Sequence, residues 1–105
     1  MGIKEEGAKD IDGILLQRER IQIVLKLDNN PTHISDLSRA LRIDRRLLTY
    51  HLQILENYGY LNSVYEVSNA RQTKGRALRI YNTTTKAKSR LAALNDLLKT
   101  SRLSI

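Results

Sequence analysis

Cysteine, phenylalanine and tryptophan are all absent from this 105-residue chain. Without thiols there can be no disulfide, no thiolate zinc site and no cysteine nucleophile, a pattern that fits an intracellular protein. Five tyrosines are the whole aromatic complement, so the core must be aliphatic. Histidine is scarce as well: only His33 and His51 exist, too few to assemble an imidazole metal site, and His33 reads as a capping or surface imidazole. No run of about 18 apolar residues occurs, so no transmembrane helix is expected. The first ten residues, MGIKEEGAKD, are too polar for a signal peptide. There is no Ser/His/Asp or Cys/His arrangement and no glycine-rich phosphate loop ahead of a helix. The expectation is a soluble, cytoplasmic protein that is not an enzyme and carries no cofactor and no metal.

What is present is basic charge, unevenly placed. Residues 1–30 hold five basic and six acidic side chains, whereas residues 31–105 hold thirteen and five. The net charge of +7 therefore belongs to the second part, and a polyanion is the natural partner, nucleic acid being the commonest. With 41% hydrophobic and 28% charged residues, the chain is globular and of single-domain size.

The stretch from Pro31 to Leu61, PTHISDLSRALRIDRRLLTYHLQILENYGYL, carries the clearest pattern. Ile34, Leu37, Ala40 and Leu41 form a narrow apolar stripe on a helix of about two turns. Arg42 and Ile43 make a turn. Asp44 can then cap a second helix from Arg45, where its charge also suits the positive end of the helix dipole. In that helix Leu48, Leu52 and Leu55 recur at i, i+4 and i+7 and point inward. At about 100° per residue, Arg46, Tyr50 and Gln53 lie roughly opposite, with Thr49 at the flank and Arg45 in the exposed first turn. Such side chains pair with base edges and phosphates in a major groove. Gly59 follows where positive φ is most easily accommodated. The whole reads as a helix-turn-helix over residues 34–58.

Before it, Asp10 to Leu27 reads as a helix with two apolar sides. Ile11, Ile14, Leu15, Ile21, Val24 and Leu25 fall broadly on one, and Leu16, Ile23 and Leu27 on another, so the helix is expected to be covered twice. Gly13 weakens its first turns, and residues 1–9 form a disordered tail. Pro31 closes the helix, and Thr32 to Ile34 reads as a very short strand. After Gly59 the period changes to that of strands. LNSVYEV and ALRIYN flank a polar, basic tip, so residues 61–82 read as a hairpin whose Arg71, Lys74 and Arg76 can lie on a phosphate backbone or in a minor groove. A last helix over residues 85–100, capped by Thr84 or Thr85, places Ala87, Leu91, Leu94 and Leu98 at coiled-coil spacing, which reads as a dimer seam.

The blocks RIQIVLKL at 20–27, ISDLSRALRIDRRLLTYHLQILENYGYL at 34–61 and GRALRIYNTTTKA at 75–87 together resemble the winged-helix transcription regulators. The likeness is to the ArsR-like and MarR-like groups of bacteria and archaea, over about residues 18–98. The middle block is the specific part: His-Leu, then Leu-Glu, then Gly and an apolar strand. Thr83 and Ala87 depart from the Leu and Gly that commonly flank the cap of the terminal helix. The cysteine metal-sensing motif of many ArsR-like proteins is missing, which excludes thiolate sensing.

The resemblance implies a mainly α fold with a small β-hairpin wing (α+β), a winged helix-turn-helix with an additional C-terminal dimerisation helix, occupying residues 10–105. It further implies a homodimer that binds pseudo-palindromic double-stranded DNA, with the second helix of the motif in the major groove and the wing on the backbone or minor groove. By position, Arg45, Arg46, Thr49, Tyr50 and Gln53 match the DNA-facing slots, and His51 matches a slot that is usually structural. The expected protein is a sequence-specific regulator, cytoplasmic and nucleoid-associated, with any small-molecule effector left open. Two alternatives stand beside it: an architectural DNA-binding protein with little sequence preference, and a winged-helix protein-interaction adaptor.

Overall fold

A computed structural model describes residues 13–67 and 77–104, with side chains described as far as residue 99. The expected tail at 1–9 and the wing-tip cations Arg71, Lys74 and Arg76 lie outside the described residues. The elements run α1 (Arg18–Leu27), β1 (Thr32–His33), α2 (Ile34–Leu41), α3 (Arg45–Asn57), β2 (Leu61–Val67), β3 (Ala77–Thr83) and α4 (Thr85–Ser104). Antiparallel pairing orders the sheet β1-β3-β2. Three helices with a hairpin wing and a trailing helix make the winged-helix arrangement that the sequence led us to expect.

The first helix is shorter than its apolar pattern suggested. Among the described residues its α-helical part begins at Arg18, because Gln17 is extended (φ −74°, ψ 137°) and separates it from the helical turn at Gly13 and Ile14, while the start expected at Asp10 lies outside the described residues. The carbonyl of Ile14 instead accepts a hydrogen bond from Arg20 Nη1 at 3.1 Å. The inward stripe is also regrouped: Arg20, Ile23, Val24 and Leu27 are the buried residues, which is the i, i+3, i+4, i+7 set of one helical face. Leu25 and Leu16 turn outward, Leu25 with 56% of its surface exposed. Two covered sides were expected, and two apolar sides exist, but Val24 joins Ile23 and Leu27 rather than Leu25.

Between α2 and α3 the chain reverses through Arg42, whose left-handed conformation (φ 57°, ψ 41°) ends α2. Ser38 holds the turn from both ends. Its backbone carbonyl accepts from Ile43 N at 3.2 Å, and its hydroxyl donates to Ile43 O at 2.6 Å. Helix α3 ends in a Schellman motif: Tyr60 N donates to Leu55 O at 2.8 Å and Gly59 N to Glu56 O at 3.0 Å, with Gly59 at φ 82°.

The core joins all of these elements. Leu15, Ile23, Val24 and Leu27, then Leu37 and Ile43, then Leu48, Leu52 and Leu55, and finally Tyr60, Leu61, Tyr81 and Ala87 form one buried cluster. Ala87 is a correction. It was expected on the dimer seam, but it is fully buried in the protomer's own core, and Leu91 and Leu94 are half-buried against that core. The cause is the corner at 58–60, which α4 seals. Thr84 Oγ1 donates to Gly59 O at 2.6 Å and accepts from Ala87 N at 3.2 Å, which makes Thr84 the helix cap. Lys86 Nζ donates to Tyr58 O at 2.7 Å and lies 4.6 Å from the Tyr60 ring centroid. With its start pinned there, the first turns of α4 must lie on the core, and only its later turns stand clear.

A charge at Ala87 therefore attacks folding. Ala87→Glu should lower stability by about 3–5 kcal/mol, the cost of an unpaired buried charge. Urea denaturation checks this, and a variant as stable as the parent would mean that Ala87 is not enclosed.

Candidate nucleic-acid interface

Helix α3 is set in place from its cap. Asp44 Oδ2 accepts from Arg46 N at 3.0 Å, and the Asp44 carbonyl accepts the first helical bond, from Leu48 N, at 2.8 Å. With Leu48, His51, Leu52 and Leu55 buried, the outward face is determined. Arg45, Arg46, Thr49, Tyr50 and Gln53 are all exposed, so these five predicted positions share one accessible side. Among the described residues the side chains of Arg46 and Gln53 make no hydrogen bond and project freely. Arg45 leans back toward α2, its Nη1 lying 3.5 Å from Ser35 Oγ. Thr49 Oγ1 donates to Arg45 O at 2.8 Å, so its hydroxyl offers acceptor lone pairs outward and can donate to a phosphate only by giving up that bond. Tyr50 meets His51 edge-on, with ring centroids 5.2 Å apart.

Beside this face a polar cleft of about 430 Å³ separates α3 from the sheet, lined by Thr49, Gln53, Glu56, Asn57, Arg79 and Tyr81. Its floor is a charged network absent from the sequence reading. Arg79 Nη2 donates to Glu56 Oε1 at 2.8 Å and Arg79 Nε to Ser63 Oγ at 2.9 Å, while Ser63 Oγ donates to Glu56 Oε2 at 2.7 Å. The guanidinium also lies 5.1 Å from the Tyr81 ring centroid and 5.9 Å from that of Tyr65, within the range for cation–π attraction. Helix α3 and the base of the wing are thus tied by one three-membered network. Burial pushes the Tyr81 phenol above its ordinary value, partly offset by Arg79, so its hydroxyl stays protonated at neutral pH.

The network became visible only with the strand register. Ser63 pairs with Tyr81 and Tyr65 with Arg79, which puts all four side chains on one sheet face. The alternation of β2 and β3 marks candidates for such a face, but no spacing in the sequence says that Glu56 meets it. His33, read as a cap or surface imidazole, stands at the N-cap position of α2 without a capping side-chain bond, and its Nε2 lies 3.0 Å from Asp36 Oδ2. Among the described residues no group of three or more His, Cys, Asp or Glu could hold a metal ion, and no helix is long and apolar enough to cross a membrane.

The other large concavity is apolar. An open groove of about 770 Å³ between α1 and α4 is lined by Leu16, Ile21, Leu25, Leu91, Leu94 and Leu98, with Asp28, Asn29 and Lys88 at one end. There Lys88 Nζ bonds Asp28 Oδ1 at 3.1 Å and Asn29 Oδ1 at 2.8 Å. Leu98 is 63% exposed.

Residues 18–63 match the model of the bacterial regulatory proteins of the arsR family. Among solved structures, HlyU from Vibrio cholerae is similar over 92% of this chain and 97% of its own, with 22% identity and a TM-score of 0.69. Mb0332 from Mycobacterium bovis, described as a homodimeric winged helix-turn-helix DNA-binding domain and a possible ArsR-family regulator, aligns over 96% of this chain and 85% of its own, with 17% identity and a TM-score of 0.71. A MarR-family regulator from Enterococcus faecalis aligns over 96% and 84%, with 20% identity and a TM-score of 0.71. Comparison with curated proteins gives no match.

The cap of α3 is the part of this interface most open to a direct stability test. Asp44→Ala should cost about 1 kcal/mol, whereas Asp44→Asn or Asp44→Ser, which keep an acceptor, should cost a fraction of that. The midpoint of urea unfolding at unchanged m-value reads the difference, and equal losses in all three variants would refute the capping role.

Proposed function

The chain is a winged helix whose residues 18–63 match the arsR-family model, and we propose that it is a sequence-specific double-stranded DNA-binding regulator that works as a homodimer. The observation that carries the reading is the outward face of α3. Its two unencumbered long polar side chains, Arg46 and Gln53, stand on one exposed side with Tyr50 between them, next to a polar cleft. Arg can pair in bidentate fashion with guanine and Gln with adenine, each worth about 1–3 kcal/mol of discrimination. Arg45 and Thr49 position the helix on phosphates, and Arg71, Lys74 and Arg76 of the wing tip follow the backbone or enter the minor groove. Arg79, held at the wing base, is the nearest described cation on the wing side of the cleft.

The second copy of the chain occupies the groove between α1 and α4. That surface is apolar and open, and it is continuous with the later turns of α4, where Leu97 and Leu98 are both exposed. The homodimeric state in the description of Mb0332 supports the same reading. Within the seam read from sequence, Leu98 is the free member, Leu91 and Leu94 are shared between core and groove, and Ala87 drops out.

Two experiments test the proposal. Selection from a random DNA pool should return an inverted repeat with half-site centres about 10 base pairs apart. Arg46→Ala or Gln53→Ala should then relax preference at particular positions in both half-sites, and Arg45→Ala should weaken cognate and random duplexes alike. A pool without an inverted repeat, together with equal losses for Arg46→Ala and Arg45→Ala on both kinds of duplex, would favour the architectural reading.

For the dimer, Leu25→Glu combined with Leu98→Glu puts carboxylates on side chains already more than half exposed in the protomer, so folding should survive while the groove becomes hostile to an apolar partner. Sedimentation at micromolar concentration should show monomer. A persisting dimer would place the interface elsewhere.

A further inference from the structure

The core holds an ionisable side chain on each of two facing helices. Arg20 of α1 and His51 of α3 are each only 4% exposed. Arg20 Nε donates to His51 Nδ1 at 3.1 Å, and Arg20 Nη1 donates to the Ile14 carbonyl at 3.1 Å. No carboxylate bonds this guanidinium among the described residues. A buried cation held by two neutral acceptors is costly unless both bonds stay in place. The one to His51 demands a particular imidazole: Nδ1 must be bare, so the ring is neutral with its proton on Nε2.

From this geometry we propose that Arg20 and His51 are positioning residues for the reading helix, forming a proton-sensitive strut that holds α3 in its DNA-binding setting only while His51 is neutral. Protonation would aim an N–H of the ring at the N–H of Arg20 and set two cations in contact inside the core. Arginine cannot yield a proton in the physiological range, so the contact has to open.

The groups that face His51 are Arg20 and Glu19 from α1 and the Tyr50 ring from its own helix. Burial, and then the Arg20 charge, press the imidazole below its ordinary value of 6.5, against a smaller upward pull from Glu19. The sign follows from linkage. A group that binds its proton less readily in the native state contributes stability that is complete above about pH 6.5 and declines as the pH falls through that value toward the native one. What is lost first is the attachment of α3, because His51 lies on it between Tyr50, on the outward face, and Leu52, in the core. The same α1 turns Ile21 and Leu25 into the apolar groove, so the strut joins the proposed dimer surface to the proposed DNA surface through one helix.

The inference rests on the nucleic-acid reading above, and its direction separates it from ordinary electrostatics. Adding protons to a DNA-binding protein strengthens its attraction for phosphates, whereas opening the strut weakens binding. The experiment measures the affinity of the full chain for a mixed-sequence duplex at one salt concentration, between about pH 5.5 and 7.5, the window in which histidine titrates. The parent should lose affinity in acid, by up to about tenfold per pH unit, the limit for one linked proton. His51→Gln, whose side-chain oxygen can still accept from Arg20 but takes up no proton, should bind as the parent does at pH 7.5 and stay flat in acid. His33→Gln should follow the parent.

Binding by the parent that is flat or stronger in acid overturns the strut, as does a His51→Gln profile like the parent's. No binding of any duplex at pH 7.5 sinks the nucleic-acid reading itself. Should His51→Gln fail to fold, Arg20→Met decides. With only two histidines, the His51 titration is resolvable by NMR, and its value should rise in Arg20→Met. A His51 titration that ignores the loss of Arg20 overturns the proposal.

Discussion

The rotation of α3 about its own axis is the constraint on which everything else in this molecule depends. Leu48, Leu52 and Leu55 are sealed on the inner side, and each such side chain contributes about 1.5–3 kcal/mol when removed from water. Turning the helix by one residue would expose them and drive Arg46 or Tyr50 into the core, so no contact on the outer face, individually worth less than this sum, can reset the angle. Asp44 fixes where the helix starts and Gly59 where it stops. Position, length and rotation are then all set, and the outer face is whatever remains.

Around that helix the neighbours divide by chemistry. On the wing side the contacts are polar: Glu56, Ser63 and Arg79 bond in a partly exposed triangle, where the ion pair contributes little to stability because water screens it. What the triangle supplies is direction, since a planar guanidinium engaged at two nitrogens can adopt few orientations. On the α1 side the contacts are apolar except at Arg20 and His51. A buried pair of this kind is weak evidence for stability, since well-packed apolar residues often do as well. What it supplies is a directional tie between α1 and α3, the 3.1 Å bond from Arg20 Nε to His51 Nδ1.

The terminal helix shows how a single sequence pattern can serve two surfaces. Its apolar residues recur at the spacing of a seam, yet the pattern does not say where along the helix the protomer's own core stops. Thr84, caught between Gly59 O and Ala87 N, pins the first turn to the corner after α3. From there the geometry grades the series: Ala87 buried, Leu91 and Leu94 shared, Leu98 free. A tether at one end converts a uniform stripe into a core contact that becomes an open surface.

By itself the sequence determined whatever depends on near neighbours along the chain. The helix-turn-helix could be read from the three- and four-residue spacing of Ile34, Leu37, Leu48, Leu52 and Leu55, the cap at Asp44 from its own chemistry, the left turn at Gly59 from its missing side chain, and the hairpin from the change of period after Leu61. The exposure of Arg45, Arg46, Thr49, Tyr50 and Gln53 followed from that same periodicity. Only the tertiary structure decided what depends on residues far apart in sequence meeting in space. It regrouped the inward stripe of α1, because which of several apolar faces is buried depends on what packs there. It withdrew Ala87 from the seam, because the corner at residues 58–60 that the start of α4 closes lies far back along the chain. It brought Arg79 to Glu56 and Arg20 to His51, separated by 23 and 31 positions. Periodicity records which way a side chain points from its own element, and it carries no information about the element that will stand opposite.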